Sequence, residues 1–274
     1  MKKIISLLIS CLFVNFGISQ IAYPHPSSIS IANTSVADAH NWSAFHNPAP
    51  LSQLSLPQLE VIYENRYIIT ELAAKSFTIA YPTKHFVPGF SFTHFGFSLY
   101  HEMMLGLAFA RDFAGKFSLG MQFTYHSAFF VSTNRYHAAF YPQIGLNIPV
   151  HRNLTIGVHL FNPFGTNIKS ELSTKRIPSI FSLGCSYHFI PELAWRFQAE
   201  KEISSNYRVA TGFQYTMLKR TRFQLGIYAN DYLVSCLGIG FDLKPFSFDL
   251  CSELHPLLGL NTIVRLKYKF DEKP

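Results

Sequence analysis

The stretch that constrains the chain most is its last strand-like run, Leu260 to Phe270, reading LNTIVRLKYKF. Leu260, Thr262, Val264, Leu266, Tyr268 and Phe270 share one parity, and Asn261, Ile263, Arg265, Lys267 and Lys269 share the other. Side chains on a strand alternate between faces, so one face is apolar and the other largely cationic. Three bases on one strand face do not suit a soluble core. They suit the polar lumen of a barrel whose other face meets lipid. An edge strand of a soluble sandwich is the competing reading, because alternation alone fits both.

Composition separates the two. Charged residues make up 14% of the 274, against 48% hydrophobic and 16% aromatic, with 27 Phe and 14 Tyr. A soluble domain carries roughly 25% charge. A barrel needs less, since its outer surface is solvated by lipid. The net charge of +7 comes from scattered bases. The single cluster, Lys219, Arg220 and Arg222, falls at an expected hairpin turn, so nucleic-acid binding is not expected and anionic headgroups are the better counter-charge.

The chain opens MKKIISLLISCLFVNFGISQ, with Lys2 and Lys3 before an apolar run from Ile4 to Phe16 and small residues Gly17 and Ser19 beyond it. That pattern is a secretory signal peptide, residues 1–19, too short to span a bilayer. Leu8-Ile9-Ser10-Cys11 is a poor lipidation match, because the apolar run continues past the cysteine. No later stretch holds about 18 consecutive apolar residues, so no transmembrane helix is expected. Cys185, Cys236 and Cys251 remain, an odd number without metal-site spacing. Whether Cys236 and Cys251, on adjacent expected strands, pair is left open.

Residues 20–56 are rich in Ser, Ala, Asn and Pro, and contain VADAHNWSAFHNPAPL, Val36 to Leu51. On Ala37-Asp38-Ala39, Ala44, Phe45, Asn47-Pro48-Ala49 and Leu51, this segment resembles the N-terminal region of FadL-like outer-membrane proteins and of PorV/PorQ-type barrels of Bacteroidetes. Pro50 stands where those proteins have Gly. Tyr63 to Pro82 and Phe92 to Glu102 also resemble that group. The aromatic end of the last strand, Tyr268 and Phe270, is similar to the C-terminal assembly signal of outer-membrane barrels. The resemblance implies a plug-like segment over residues 20–56 with Asn47, Pro48 and Ala49 as its motif. It further implies a barrel over 57–270 and an outer-membrane location, with lipid, lipopolysaccharide and the barrel-assembly machinery as partners. Its functional implication is a transport or secretion-accessory barrel associated with type IX secretion, in contact with secretion-apparatus proteins. The alternative is passive uptake of small hydrophobic solutes such as fatty acids.

Between residues 57 and 270 the chain falls into alternating runs. Phe117, Leu119, Met121, Phe123 and Tyr125 interleave with Ser118, Gly120, Gln122, Thr124 and His126, and Trp195, Phe197 and Ala199 with Arg196, Gln198 and Glu200. The expected fold is an all-β antiparallel transmembrane barrel of about fourteen strands, with twelve as the alternative, and a polar tail at 271–274. Turns at the end bearing both termini are expected to be short. The longest connections, Ser127 to Arg135 and Asn162 to Arg176, are expected at the opposite end.

No catalytic motif is present. His126-Ser127 and His159-Leu160-Phe161-Asn162 do not match the serine motif of outer-membrane phospholipases, so a lipid-modifying enzyme is a distant alternative. No cofactor or metal is expected. His94 and His101, the nearest strand pair of histidines, are expected on opposite faces. Gly238 and Gly240 are expected to relieve crowding within a strand. Finally, Glu60 and Glu64 on the first strand and Asp249 and Glu253 on the penultimate one are expected to flank Arg265, Lys267 and Lys269 in the lumen. Counting back through the last turn sets Asp249 nearly opposite Arg265. Cross-strand opposite charges contribute roughly 0.2–1 kcal/mol per pair.

Overall fold

Period-two alternation shapes this chain because every second side chain has somewhere different to go. The computed structural model describes residues 29–38, 46–132, 134–169, 174–203 and 205–270. The expected signal peptide and polar tail lie outside the described residues, as do 20–28 and 39–45 of the expected plug-like segment. The strands are β1 Gln58–Asn65, β2 Ala74–Ala80, β3 Val87–Phe97, β4 Tyr100–Phe113, β5 Phe117–Phe130, β6 Arg135–His151 and β7 Leu154–Phe161. Two short strands follow, β8 Ile168–Lys169 and β9 Thr174–Lys175. Then come β10 Ile180–Ile190, β11 Leu193–Glu202, β12 Tyr207–Met217, β13 Thr221–Ala229, β14 Leu233–Leu243, β15 Phe246–His255 and β16 Gly259–Lys269. All but β8 and β9 pair antiparallel with their neighbours in one closed barrel of fourteen strands, with β16 meeting β1. No described helix is long and apolar enough to cross a membrane.

The face assignment is decided by which set is exposed. Phe213, Tyr215, Phe223 and Leu225 are 42–56% exposed, whereas Gln224, between two of them, is 6% exposed. A soluble sandwich would bury the first set. Here the apolar side chains form the outer surface and the polar ones the interior, as lipid solvation requires. Trp195 and Phe197 lie on the same outer face, with Arg196 and Gln198 inside.

Closure follows the charges. Asp249 sits directly opposite Arg265 across β15–β16, and Glu60 directly opposite Lys267 across β1–β16. The start of β1 and the end of β16 therefore lie at one end of the barrel, the near end. Tyr268 packs its ring on Phe246 and Phe270 there, at 5.1 and 4.8 Å between centroids.

Two sequence expectations are corrected. Ser127 to Phe130 are strand, and the β5–β6 connection is only residues 131–134, at the far end. The Ser and Asn residues of this stretch resemble a loop, yet Ser127–Ala138 and Phe130–Arg135 are paired rungs. The second concerns His94 and His101, whose rings stack at 5.6 Å. Parity counted through the β3–β4 turn fails, because the antiparallel return places both on the outer face. His101 also stacks on Phe129 at 4.9 Å and hydrogen-bonds Tyr136 at 3.1 Å, building an aromatic patch at the far rim. The loop from Asn162 to Arg176 does cross the far end and carries the β8–β9 hairpin. Cys185, Cys236 and Cys251 are free thiols.

Candidate functional site

The lumen is occupied by the chain's own N-terminal segment. Residues 29–38 and 46–51 lie against the inner wall and all but Asn33 are buried, with Ala32, Ala49 and Leu51 at 0% exposure. Such close approach needs wall positions without a side chain. Gly120, Gly145, Gly157, Gly184, Gly212, Gly226 and Gly238 provide them, one from each of β5, β6, β7, β10, β12, β13 and β14. A Cβ on Gly145 would overlap Asn47 and lie 2.7 Å from Pro48, one on Gly157 would meet the backbone of Val36 and Ala37, and one on Gly226 would lie 2.6 Å from the Ile31 carbonyl carbon. The glycines thus form a belt on which the plug rests, and the crowding that Gly238 relieves is that of Ser30 in the plug.

β11, which has no belt glycine, bonds the plug instead. Gln198 Oε1 accepts from the Val36 N–H at 3.0 Å, and Arg196 pairs with Asp38 at 3.1 Å. Arg208 on β12 donates to the Ala32 carbonyl at 2.7 Å and to Glu200 at 2.9 Å. Asn47 folds its own turn: Oδ1 accepts from the Ala49 N–H at 2.9 Å, and Nδ2 donates to the Val36 carbonyl at 2.6 Å. Pro48 precedes the 3-10 helix Ala49–Gln53, whose Leu51 packs among Ala80, Val87, Ala108 and Ala110. His46 is buried beside Asn47. Desolvation pushes its pKa down to about 4, opposed by Glu200 and assisted by Arg208.

The lumen charges divide into two groups. Near the termini, Arg265 grips Asp249 through Nε and Nη2 at 3.1 and 3.0 Å, Arg222 reaches the same carboxylate at 2.9 Å, and Lys267 meets Glu60 at 3.3 Å. Lys269 does not join them. It is exposed at the near rim, close to Arg222 and Lys244, and makes no ion pair among the described residues. Glu64 and Glu253 sit farther along, opposite Ile263 and Asn261, beyond reach of the last-strand bases. Glu64 is held by Arg66 at 3.0 and 3.1 Å and by Asn261 Nδ2 at 3.0 Å, and Glu253 lies beside Tyr228.

Above this second group the barrel is open. A cavity of about 390 Å³ runs from the plug, at Ile29, Asn33 and His46, to the far rim at Tyr67, Tyr232, Leu257 and Leu258. Its walls mix Phe95, Leu72, Tyr228 and Val234 with the polar floor just described. The size suits one small ligand. The rim is apolar at the β15–β16 turn, where Leu257 and Leu258 are 69% and 42% exposed. Tyr67 and Ile68 hold positive φ of 57° and 61°, which strains a β-branched residue and marks the β1–β2 connection as a shaped mouth. Among the described residues lining the cavity there is no Ser, Thr, Cys or Lys to act as a nucleophile. No group of three described His, Cys, Asp or Glu side chains is placed to hold a metal.

The other half of the far end is filled. Ile168 and Ile177 of the β7–β10 connection pack on Ala128, Tyr141, Phe161 and Ile180. Lys175 reaches into the wall, donating to the Tyr100 hydroxyl at 2.6 Å and pairing with Glu102, which His126 also meets at 2.6 Å.

Sequence reasoning found the charged stripe and the NPA motif but not the cavity. One signal for the belt was available, namely a glycine at an inward parity position in strand after strand.

Comparison with known proteins gives structural likeness without sequence likeness. No protein-family model matches the chain, and no curated protein matches it in sequence. Among solved structures, the CymD monoaromatic hydrocarbon channel superposes with a TM-score of 0.65 at 11% identity, over 90% of this chain and 97% of that one. The Pseudomonas putida toluene transporter TodX gives 0.60 at 10% identity, over 83% and 93%. A Pseudomonas aeruginosa FadL homologue gives 0.63 at 11%, over 94% and 100%. The fold is therefore that of FadL-type outer-membrane channel barrels.

Proposed function

We propose that this chain is an outer-membrane channel barrel, exported on residues 1–19, that takes up small apolar solutes through its far-end cavity. By the rule that both termini of such barrels are periplasmic, the far end faces outside. The observation that carries the reading is the cavity of about 390 Å³ with an apolar rim and aromatic walls, seated directly on the lumen plug. Structural likeness to channels named for toluene and monoaromatic hydrocarbons supports the same direction. The test is uptake of the hydrocarbon dye diphenylhexatriene by cells carrying the folded protein in a lipopolysaccharide-coated outer membrane. Faster entry than in cells without it is expected. Equal entry, with the barrel demonstrably folded, overturns the reading.

A second reading, an accessory barrel of a type IX secretion apparatus, is favoured by the plug's seat. Ion pairs and backbone contact around the belt hold it as a fixed closure, which a non-transporting barrel could retain. That reading predicts co-purification of secretion-apparatus proteins from native membranes without any effect on dye entry.

A further inference from the structure

Four bases crowd one side of the near rim. Lys219 and Arg220 sit in the β12–β13 turn, Lys244 in the β14–β15 turn and Lys269 at the end of β16. Sequence order hides their adjacency. The Asp242 N–H donates to the Arg220 carbonyl at 2.7 Å and the Lys269 N–H to the Pro245 carbonyl at 3.0 Å, so the three connections are bonded side by side. All four bases are exposed, and none has an ion pair among the described residues. The acids beside them are committed, since Asp242 and Asp249 both take Arg222. Four like charges held within a few strand spacings of about 5 Å repel one another until an anion joins them.

A second observation comes from the wall beside the bases. Leu218 and Lys219 hold positive φ of 50° and 56°, a conformation that two-residue hairpin turns ordinarily leave to Asn and Gly. Leu218 is 83% exposed, more than any other large apolar side chain among the described residues. Leu243 and Phe246, directly opposite each other, and Phe270 are 39–64% exposed at the same end. Every one of the four bases lies within two residues of one of these apolar side chains. At about 3.3 Å per residue, that places the charges at the edge of the lipid-facing band, where long basic side chains reach headgroups. Connections this short do not lift the bases clear of the headgroup layer, which sets a lipid ahead of a soluble acidic partner.

Resting on the outer-membrane reading above, though not on solute uptake, we propose that Lys219, Arg220, Lys244 and Lys269 bind the phosphate of an anionic phospholipid of the periplasmic leaflet. Its chains lie along Leu218, Leu243 and Phe246. One lipid then bridges three connections around the closing strand.

The test is native mass spectrometry of the folded protein in an uncharged detergent, titrated with phosphatidylglycerol or with phosphatidylcholine of identical chains. The first phosphatidylglycerol should bind at a concentration at least about fivefold lower, the factor that one base at a membrane surface supplies. Ammonium acetate at about 0.5 M should erase the preference by screening. The combined Lys219→Gln, Arg220→Gln and Lys244→Gln variant should erase it too, and Lys244→Gln alone should lower it. Lys116→Gln, on the β4–β5 turn, should leave it unchanged. Folding of each is checked by heat-modifiable gel migration. Equal binding of the two lipids, a preference that survives salt, or one that the combined variant keeps overturns the site and leaves the outer-membrane reading standing. A preference that emerges only once residues 271–274 are removed makes the chain's own Asp271 and Glu272 the occupant, and overturns it likewise. Recovery of the protein away from the outer membrane on cell fractionation overturns both.

Discussion

The two halves of the far end are built from the same alternating strands and end differently. Over β4 to β10 the lumen is stopped by side chains, with Ile168 and Ile177 packed on Tyr141 and Phe161 and Lys175 pinned to Glu102. Over β1 and β13 to β16 it is left open, with paired charges below and an exposed apolar rim above. The contrast arises from the connections rather than the barrel. The β7–β10 connection is long enough to fold a hairpin back over the lumen. The β15–β16 turn is three residues, Pro256 to Leu258, and cannot. Solvent access in a barrel of this kind is thus set by loop length, half by half.

Four experiments press on that contrast. The largest effect should ignore it. Phe123→Arg on β5 and Phe213→Arg on β12 place a charge on the lipid face of either half, and each should cost about 2–4 kcal/mol. Gln214→Arg, pointing into the lumen, should be far milder, as read by urea-dependent loss of heat-modifiable migration in vesicles. A clear difference between the two Phe sites would mean that the halves differ outside as well as inside.

The next is specific to the plug beneath the open half. An unfolded His46 takes its proton near pH 6.5, but the buried imidazole resists it down to about 4. Between those values the unfolded state binds more protons, so the stabilisation is complete above pH 6.5 and is lost as pH falls toward 4, by about 3 kcal/mol. His46→Gln should flatten stability measured across that window; an unchanged pH slope would remove His46 as the cause.

The belt gives the third. Gly145→Val should unseat the NPA end of the plug, under the capped half, and Gly226→Val the Ile31 end, under the open half. Each should cost about 2 kcal/mol, in the range of overpacked cores. Protease cleavage of the plug in folded barrels is the readout, and dye uptake should respond to Gly226→Val more strongly than to Gly145→Val. The smallest effect is Lys175→Met. Its ammonium is partly exposed, so losing the pin costs about 1 kcal/mol. The measurable result is faster hydrogen exchange confined to residues 162–179. Exchange spreading to β15 and β16 would show the halves to be coupled.

Much of the fold was legible in the sequence because lipid-facing strands leave a parity record. The pairing of Asp249 with Arg265 could even be counted, since a hairpin turn fixes its own register. The register of Glu60 with Lys267 could not, because barrel closure depends on shear, which no local stretch encodes. Parity failed where a turn intervened, as at His94 and His101. Polar composition failed at Ser127 to Phe130, where rung pairing outweighs loop-like residues. The cavity was illegible for a different reason: Asn33, Glu64, Tyr228 and Asn261 meet only through the closed barrel and the seated plug. Lys269 belonged to the stripe by parity but to the rim by height.

The glycine belt has a consequence for the order of assembly. Ser30 bonds Gln224 across 194 positions, at 2.6 Å, and the seven glycines span β5 to β14. Contacts of such separation carry the largest loop-closure cost and form late. The plug is synthesised before the barrel strands, yet its seat exists only once β14 has joined the sheet. A docked plug therefore reports a finished barrel, and until then the segment must wait as an unpaired chain.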